Sequence, residues 1–153
     1  MAGRWLALSA FRTLAFPLAA ALLLPGASGC GRGSGSTEPE AKVRLTKLLR
    51  LYQLYAEKNK KGPLDERALR AFGQKLSAQE RDEYLIGDDL DGIFTSPRDN
   101  QKYEIRYNLK LDPGGPTRAV AWEATGQGGL RYVALSVGYV EEYDDETFRQ
   151  YQK

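Results

Sequence analysis

The chain has 153 residues, 42% hydrophobic and 27% charged, with 22 Lys plus Arg, 20 Asp plus Glu, one Cys and no His, a size suited to one modest globular domain. A single Cys without His excludes a zinc finger, a disulfide framework and a His-assisted catalytic triad, each of which needs partners the chain lacks. The net charge of +2 is too small to mark a nucleic-acid binder, and no nucleic-acid partner is expected.

The first thirty residues differ in kind from the rest. Arg4 and Arg12 are their only charges, Thr13 to Leu24 is almost wholly apolar, and Pro25-Gly26 interrupts it before Ala27-Ser28-Gly29-Cys30. A basic start, a short apolar region and small residues at a cut are the order of a secretory signal, predicted here as residues 1–29. Twelve uncharged residues separate Arg12 from Pro25, against roughly 20 for a spanning helix, so cleavage is favoured over spanning. The four residues Ala27, Ser28, Gly29 and Cys30 resemble the lipobox of bacterial lipoproteins, with Ala27 where that motif most often has Leu. The resemblance implies that Cys30 is the lipid attachment point and that acyl chains hold the protein to a membrane. Residues 30–37, with Gly and Ser following Cys30, read as a flexible tether.

Arg4 and Arg12 account for the whole net charge, so residues 30–153 carry 20 basic and 20 acidic side chains. They are unevenly placed, with eleven basic and five acidic groups over residues 31–75 and nine and fifteen over residues 76–153. The basic half reads as a solvated helix face, with attraction to an anionic membrane as the alternative.

The first predicted element is a helix from Glu38 to Asn59. Thr37 and Glu40 form a capping box, and Leu45, Leu48, Leu49, Tyr52 and Tyr55 recur at helical spacing. Lys58, Lys60 and Lys61 suit its C-terminal end before Gly62-Pro63. A second helix is expected over Asp65 to Leu76, and Ser77 with Glu80 opens a short third one. Beyond Gly87 the period changes to two, with Tyr103, Ile105 and Tyr107 alternating with Lys102, Glu104 and Arg106. Further strands are expected at Ala119 to Glu123, Leu130 to Ser136 and Tyr139 to Tyr143. They are separated by turn-forming Pro97–Asn100, Asp112–Pro116, Thr125–Gly129 and Val137-Gly138. Asp144 or Asp145 can cap a last helix with Phe148 and Tyr151. The fold class is α+β, with a long N-terminal helix and short helices packed on an antiparallel sheet of about four strands over residues 38–153.

Candidate chemistry is sparse. Asp88, Asp89 and Asp91 beside Gly92 hold a fragment of a hard-cation loop, but the third regularly spaced ligand and a distal Glu are missing, and a solvated acidic turn is the preferred reading. Trp122 and the tyrosines at 103, 107, 132, 139 and 143 could form a glycan or small-ligand platform. They fall at strand positions where aromatic residues are favoured for packing, and Trp122 reads as a core anchor. Ser96 and Ser136 are the remaining nucleophile candidates, without a Gly-x-Ser-x-Gly or Ser-x-x-Lys context. No catalytic residue and no cofactor is assigned.

Across Leu45 to Phe148 the order of features resembles the soluble domain of type II secretion pseudopilin-like proteins, including those with an H-x9-DG signature. The pieces that carry it are the long helix with Tyr52 and Tyr55, Asn59-Lys60-Lys61-Gly62-Pro63, Phe94-Thr95-Ser96-Pro97-Arg98-Asp99-Asn100-Gln101-Lys102-Tyr103, Ala121-Trp122-Glu123, and Arg131 to Glu141. The resemblance implies a long helix laid on a small antiparallel sheet. It does not extend to filament assembly, because no acid precedes Glu38, nor to the signature Asp, because Val137-Gly138 stands at that place. The expectation is a non-enzymatic, lipid-anchored cell-envelope protein facing the periplasm, with an unidentified envelope protein as partner. The alternative is a periplasmic small-ligand or glycan-binding module.

Overall fold

The structure, a computed structural model, describes residues 38–153. The expected signal peptide, the lipobox-like Ala27 to Cys30, the expected tether and the expected Thr37 cap lie outside the described residues.

The first helix, α1 (Glu38–Asn59), has the predicted bounds. Leu45, Leu48, Leu49 and Tyr52 are buried as their spacing requires, and so are Leu51 and Leu54. The apolar stripe is wider than one face because α1 is covered from two directions. One side lies on the sheet, and on the other Leu51 packs beneath Gly73 of α2 (Glu66–Lys75), where a β-carbon would stand 3.3 Å from Leu51 Cδ2. Tyr55 and Phe72 add an edge-on ring contact at 5.2 Å. After α1 the chain turns through Lys60, whose φ is 61°.

Asp65 caps α2 by accepting from Ala68 N at 2.7 Å, and the predicted Ser77/Glu80 capping box opens α3 (Ala78–Glu83). Lys58 donates to Glu80 at 2.8 Å, and with Ser77 it holds that carboxyl down at about 2. At the end of α3, Ile86 N reaches back to Arg81 O at 2.8 Å and Leu85 N to Asp82 O at 3.0 Å. This closure places Leu85 in the left-handed region, φ 53°, where Gly is the usual occupant. Ile86 is thereby buried while Leu85 points outward, 60% exposed. A 3₁₀ turn (Gly92–Phe94) follows, with Ile93 and Phe94 buried.

The sheet is an antiparallel meander in the order β1 (Glu104–Ile105), β2 (Ala119–Trp122), β3 (Leu130–Leu135), β4 (Val140–Asp144). Glu104 pairs with Trp122, Trp122 with Val133, and Val133 with Glu141. An irregularity between Ala119 and Ala121 shifts the side-chain alternation. Val120 and Ala121 therefore both join the α1-side core, while Ala119 and Trp122 join Val133, Leu135 and Phe148 on the other side. That second layer is α4 (Asp145–Tyr151), capped by Asp144, which accepts from Thr147 N at 2.7 Å. All four residues of β2 are buried because both faces of the sheet are covered.

The expected strand over residues 103–107 shrinks to two residues. Tyr103 is buried, and the backbone then leaves the sheet so that Asn108 N donates to Pro63 O at 2.9 Å and Gly62 N to Leu109 O at 3.1 Å. Tyr52 fixes this departure. Its hydroxyl donates to Arg106 O at 2.9 Å and accepts from Leu109 N at 3.2 Å, and burial pushes its pKa up to about 12. Tyr139 also departs from expectation, lying in the β3–β4 turn rather than in a strand and 48% exposed. Among the described residues no helix is long and apolar enough to cross a membrane.

Candidate functional site

Two places concentrate polar chemistry, one inside the fold and one on its surface. The interior one is built by the turn from Ser96 to Gln101, which Ser96 N closes onto Gln101 O at 2.9 Å. Ser96 and Glu123 are both fully buried. The Ser96 hydroxyl donates to Glu123 Oε1 at 2.6 Å and accepts from Arg98 N at 3.1 Å. The other Glu123 oxygen accepts from Tyr132 N at 2.9 Å and faces Arg98 Nη1 at 3.5 Å.

Arg98 reaches across this centre with its side chain only 1% exposed. It meets Glu142 of β4 at 2.7 Å, donates to Gln127 O at 3.3 Å, and lies over the Tyr132 ring at 4.6 Å. Its Nε is buried with no partner. Burial opposes its charge, but hydrogen bonding to Glu142 and the nearby Glu123 raise its pKa above the ordinary value. Asp99 completes the turn by accepting from Gln101 N, Thr125 N, Thr125 Oγ1 and Gly126 N at 3.0 to 3.2 Å. Burial works against its carboxylate, yet these donors hold its pKa below the usual value. The turn thus grips the β2–β3 hairpin through Asp99 and β4 through Arg98.

At the middle of this centre Ser96 and Glu123 are out of contact with solvent. A nucleophile must meet a substrate and a base within about 2.6–3.2 Å, and Ser96 has the second of these without access to the first. In the sequence Ser96 reads as a possible nucleophile, Pro97 to Asn100 as an ordinary turn and Glu123 as a strand end. The available signal was Glu123 itself, a charge directly after Ala119-Val-Ala-Trp122, where an apolar run predicts burial on both faces.

The surface site is an open cleft of about 730 Å³ between the C-terminal half of α1, the connection Leu109 to Pro116, and the β3–β4 turn. Gln53, Glu57 and Lys60 form one wall, Lys110 to Pro116 the second, and Arg118, Ser136 and Val137 the third. Lys110 pairs with Asp112 at 2.8 Å, which raises the lysine pKa. Ser136 lies with lysines and carboxylates here, but its Oγ accepts from Arg118 N at 3.0 Å. Among the described residues no lysine or carboxylate is hydrogen-bonded to it. Sequence reasoning saw the walls of the cleft only as separators between strands.

The other sequence candidates are dispersed. Asp88 pairs with Arg81 at 3.1 Å, Asp89 accepts from Gly92 N at 2.8 Å, and Asp91 pairs with Arg70 at 2.6 Å. The three carboxylates thus turn to separate partners, and among the described residues no group of three or more His, Cys, Asp or Glu could hold a metal ion. Trp122 is buried against Phe148, ring centroids 5.3 Å apart, with its indole N–H on Glu104 at 2.9 Å. Tyr103 and Tyr132 are buried, Tyr143 packs on Tyr151 at 5.2 Å, and neither Trp122 nor any of the five tyrosines lines the cleft. No protein family, curated protein or solved structure matches the chain.

The described residues define a class by architecture: an α+β domain in which a long helix and a short one sandwich a four-stranded antiparallel meander.

Proposed function

We propose that the chain is a non-enzymatic, lipid-anchored protein of the cell envelope, facing the periplasm, whose pseudopilin-like domain acts as an interaction or structural component beside another envelope protein. The observation that carries this reading is the N-terminal order of Arg4 and Arg12, an apolar run, small residues and the single Cys30. Supporting it, the two candidate serines are hydrogen-bonded within the fold, Ser96 to Glu123 and Ser136 to Arg118 N, and Ser96 and Glu123 are fully buried. The partner surface under this reading is the cleft, where Lys60, Lys110 and Arg118 stand among Pro, Gly and Val surfaces.

Membrane fractionation tests the anchor. Wild-type chain is expected in the membrane fraction and Cys30→Ser released or retained as an uncleaved precursor; equal, fully soluble distribution of both sinks the reading. Crosslinking from Val137 tests the partner, with a discrete heterologous adduct expected.

A second reading has one observation in its favour. A cleft of about 730 Å³ lies within the range of about 300–1,000 Å³ typical of small-ligand sites, so a periplasmic ligand module would use Lys60, Lys110, Arg118 and Gln53 on its walls rather than aromatic rings. Saturable binding of a small anion, abolished by Arg118→Gln, would favour that reading over the first.

A further inference from the structure

Along the first half of α1, Lys42 and Val43 are exposed and Lys47 and Arg50 half-buried. Val43, Lys47 and Arg50 stand at i, i+4 and i+7 and so share one face, with Lys42 one position before Val43 and about 100° around the helix; Val43 is 51% exposed. Lys42, Lys47 and Arg50 have no acidic partner among the described residues, whereas Arg44 on the adjoining side is taken by Glu40. The carboxylates nearest this face are otherwise engaged, Asp88 by Arg81 and Asp89 by Gly92 N, and Glu57 lies two turns further along the helix.

The loop after α3 borders this face. Lys47 Nζ comes so close to Gly87 that a β-carbon there would stand 3.1 Å away. Two residues earlier is Leu85, exposed and held outward by the turn that buries Ile86. Leu85 belongs to neither core cluster. A row of unpaired cations with Val43 among them and a protruding Leu at the border is the composition of a surface that rests on anionic head groups, with cations at the phosphates and short apolar groups between them.

We propose that Lys42, Val43, Lys47 and Arg50 of α1, with Leu85 at their margin, form a docking face for an anionic lipid surface. The inference rests on the lipid-anchor reading for its strength, since only seven residues, 31–37, lie between Cys30 and Glu38, eight Cα-to-Cα steps in all. A segment of that length spans at most about 28 Å and keeps the first turns of α1 at high effective concentration near the bilayer. The domain then lies along the membrane by the N-terminal part of α1, and the cleft at the other end of the helix stays open to a partner.

The test uses the protein as extracted from its membrane and reconstituted into phosphatidylcholine vesicles, with or without brominated phosphatidylglycerol; the zwitterionic vesicles carry brominated phosphatidylcholine instead. Val43→Trp supplies the fluorophore, read as the difference from wild type so that Trp122 cancels. The expected result is quenching by the anionic brominated vesicles and little by the zwitterionic ones. The triple variant K42Q/K47Q/R50Q should lose it, because about 1 kcal/mol per charge near such a surface amounts to roughly a hundredfold fall in the docked fraction ratio. K61Q/K75Q/K153Q, with the same change in net charge, should keep it. Equal quenching in both vesicle types, equal loss in both triple variants, or no quenching with position 43 crosslinked to a second polypeptide would each overturn the proposal. The intact mass of the same preparation reports acylation separately. An acylated chain without quenching overturns the docking face alone, and an unacylated chain that is quenched overturns the anchor alone.

Discussion

Ser96 and Glu123 share a 2.6 Å hydrogen bond at a point where neither side chain meets solvent. The bond ties the turn before β1 to the end of β2 and leaves Glu123 facing Arg98 from within the fold. Removing Glu123 leaves the Ser96 hydroxyl and Tyr132 N without their acceptor while Arg98 keeps Glu142, and breaking a buried pair costs about 3–5 kcal/mol. Glu123→Ala is therefore expected to destabilise the domain by about that much in urea unfolding. Ser96→Ala should cost less, about 1–3 kcal/mol, and the double variant should fall short of the sum, since both substitutions break the same network.

Asp99 makes acid sensitivity specific. Its pKa is lowered in the folded chain relative to about 3.9 when unfolded. Its stabilising contribution is thus fully present above the unfolded value and is lost as pH falls through the lower folded value. Stability measured between pH 5 and the acid transition should fall less steeply in Asp99→Asn than in wild type; parallel curves would show that Asp99 carries no such linkage.

Tyr52 is predicted to hold the segment that leaves the sheet. Tyr52→Phe removes the hydroxyl bonded to Arg106 O and Leu109 N while keeping the ring, at an expected cost of about 1–3 kcal/mol. Faster amide exchange should be confined to residues near 106–109 and their contact at Gly62-Pro63. Gly62→Ala should be harsher, because its β-carbon would stand 2.6 Å from Leu109 O and crowd the Tyr52 hydroxyl.

Phe148 anchors α4 to the sheet through Trp122, and Arg131 adds a cation over the same ring at 4.9 Å. Phe148→Ala is expected to cost about 3–5 kcal/mol and to shift Trp122 emission toward that of a solvated indole. Unchanged emission would place the contact elsewhere.

Much of this fold was legible in the residues. Helical spacing from Leu45 to Tyr55, the Ser77/Glu80 box and the turn residues between strands give element order and class, because local chemistry decides them. What was hidden depends on contacts across the chain. Leu51 looks like a break in a single stripe until α2 covers it, and Tyr107 looks like strand until Asn108 finds Pro63 O. Phe148 is visible as a core residue, but the second face it covers is not. At the candidate sites, Ser96 was visible as a residue type and invisible as a buried donor. Arg98, Glu123 and Glu142 meet from three separate segments, and the cleft is made from connections whose composition signals only turns.

Intact-mass spectrometry of the protein extracted from bacterial membranes reports whether Cys30 is the membrane attachment point, as proposed. The expected species is a chain beginning at Cys30 with a mass increased by a diacylglycerol group. An unmodified Cys30, or a chain that still carries Met1, would contradict it.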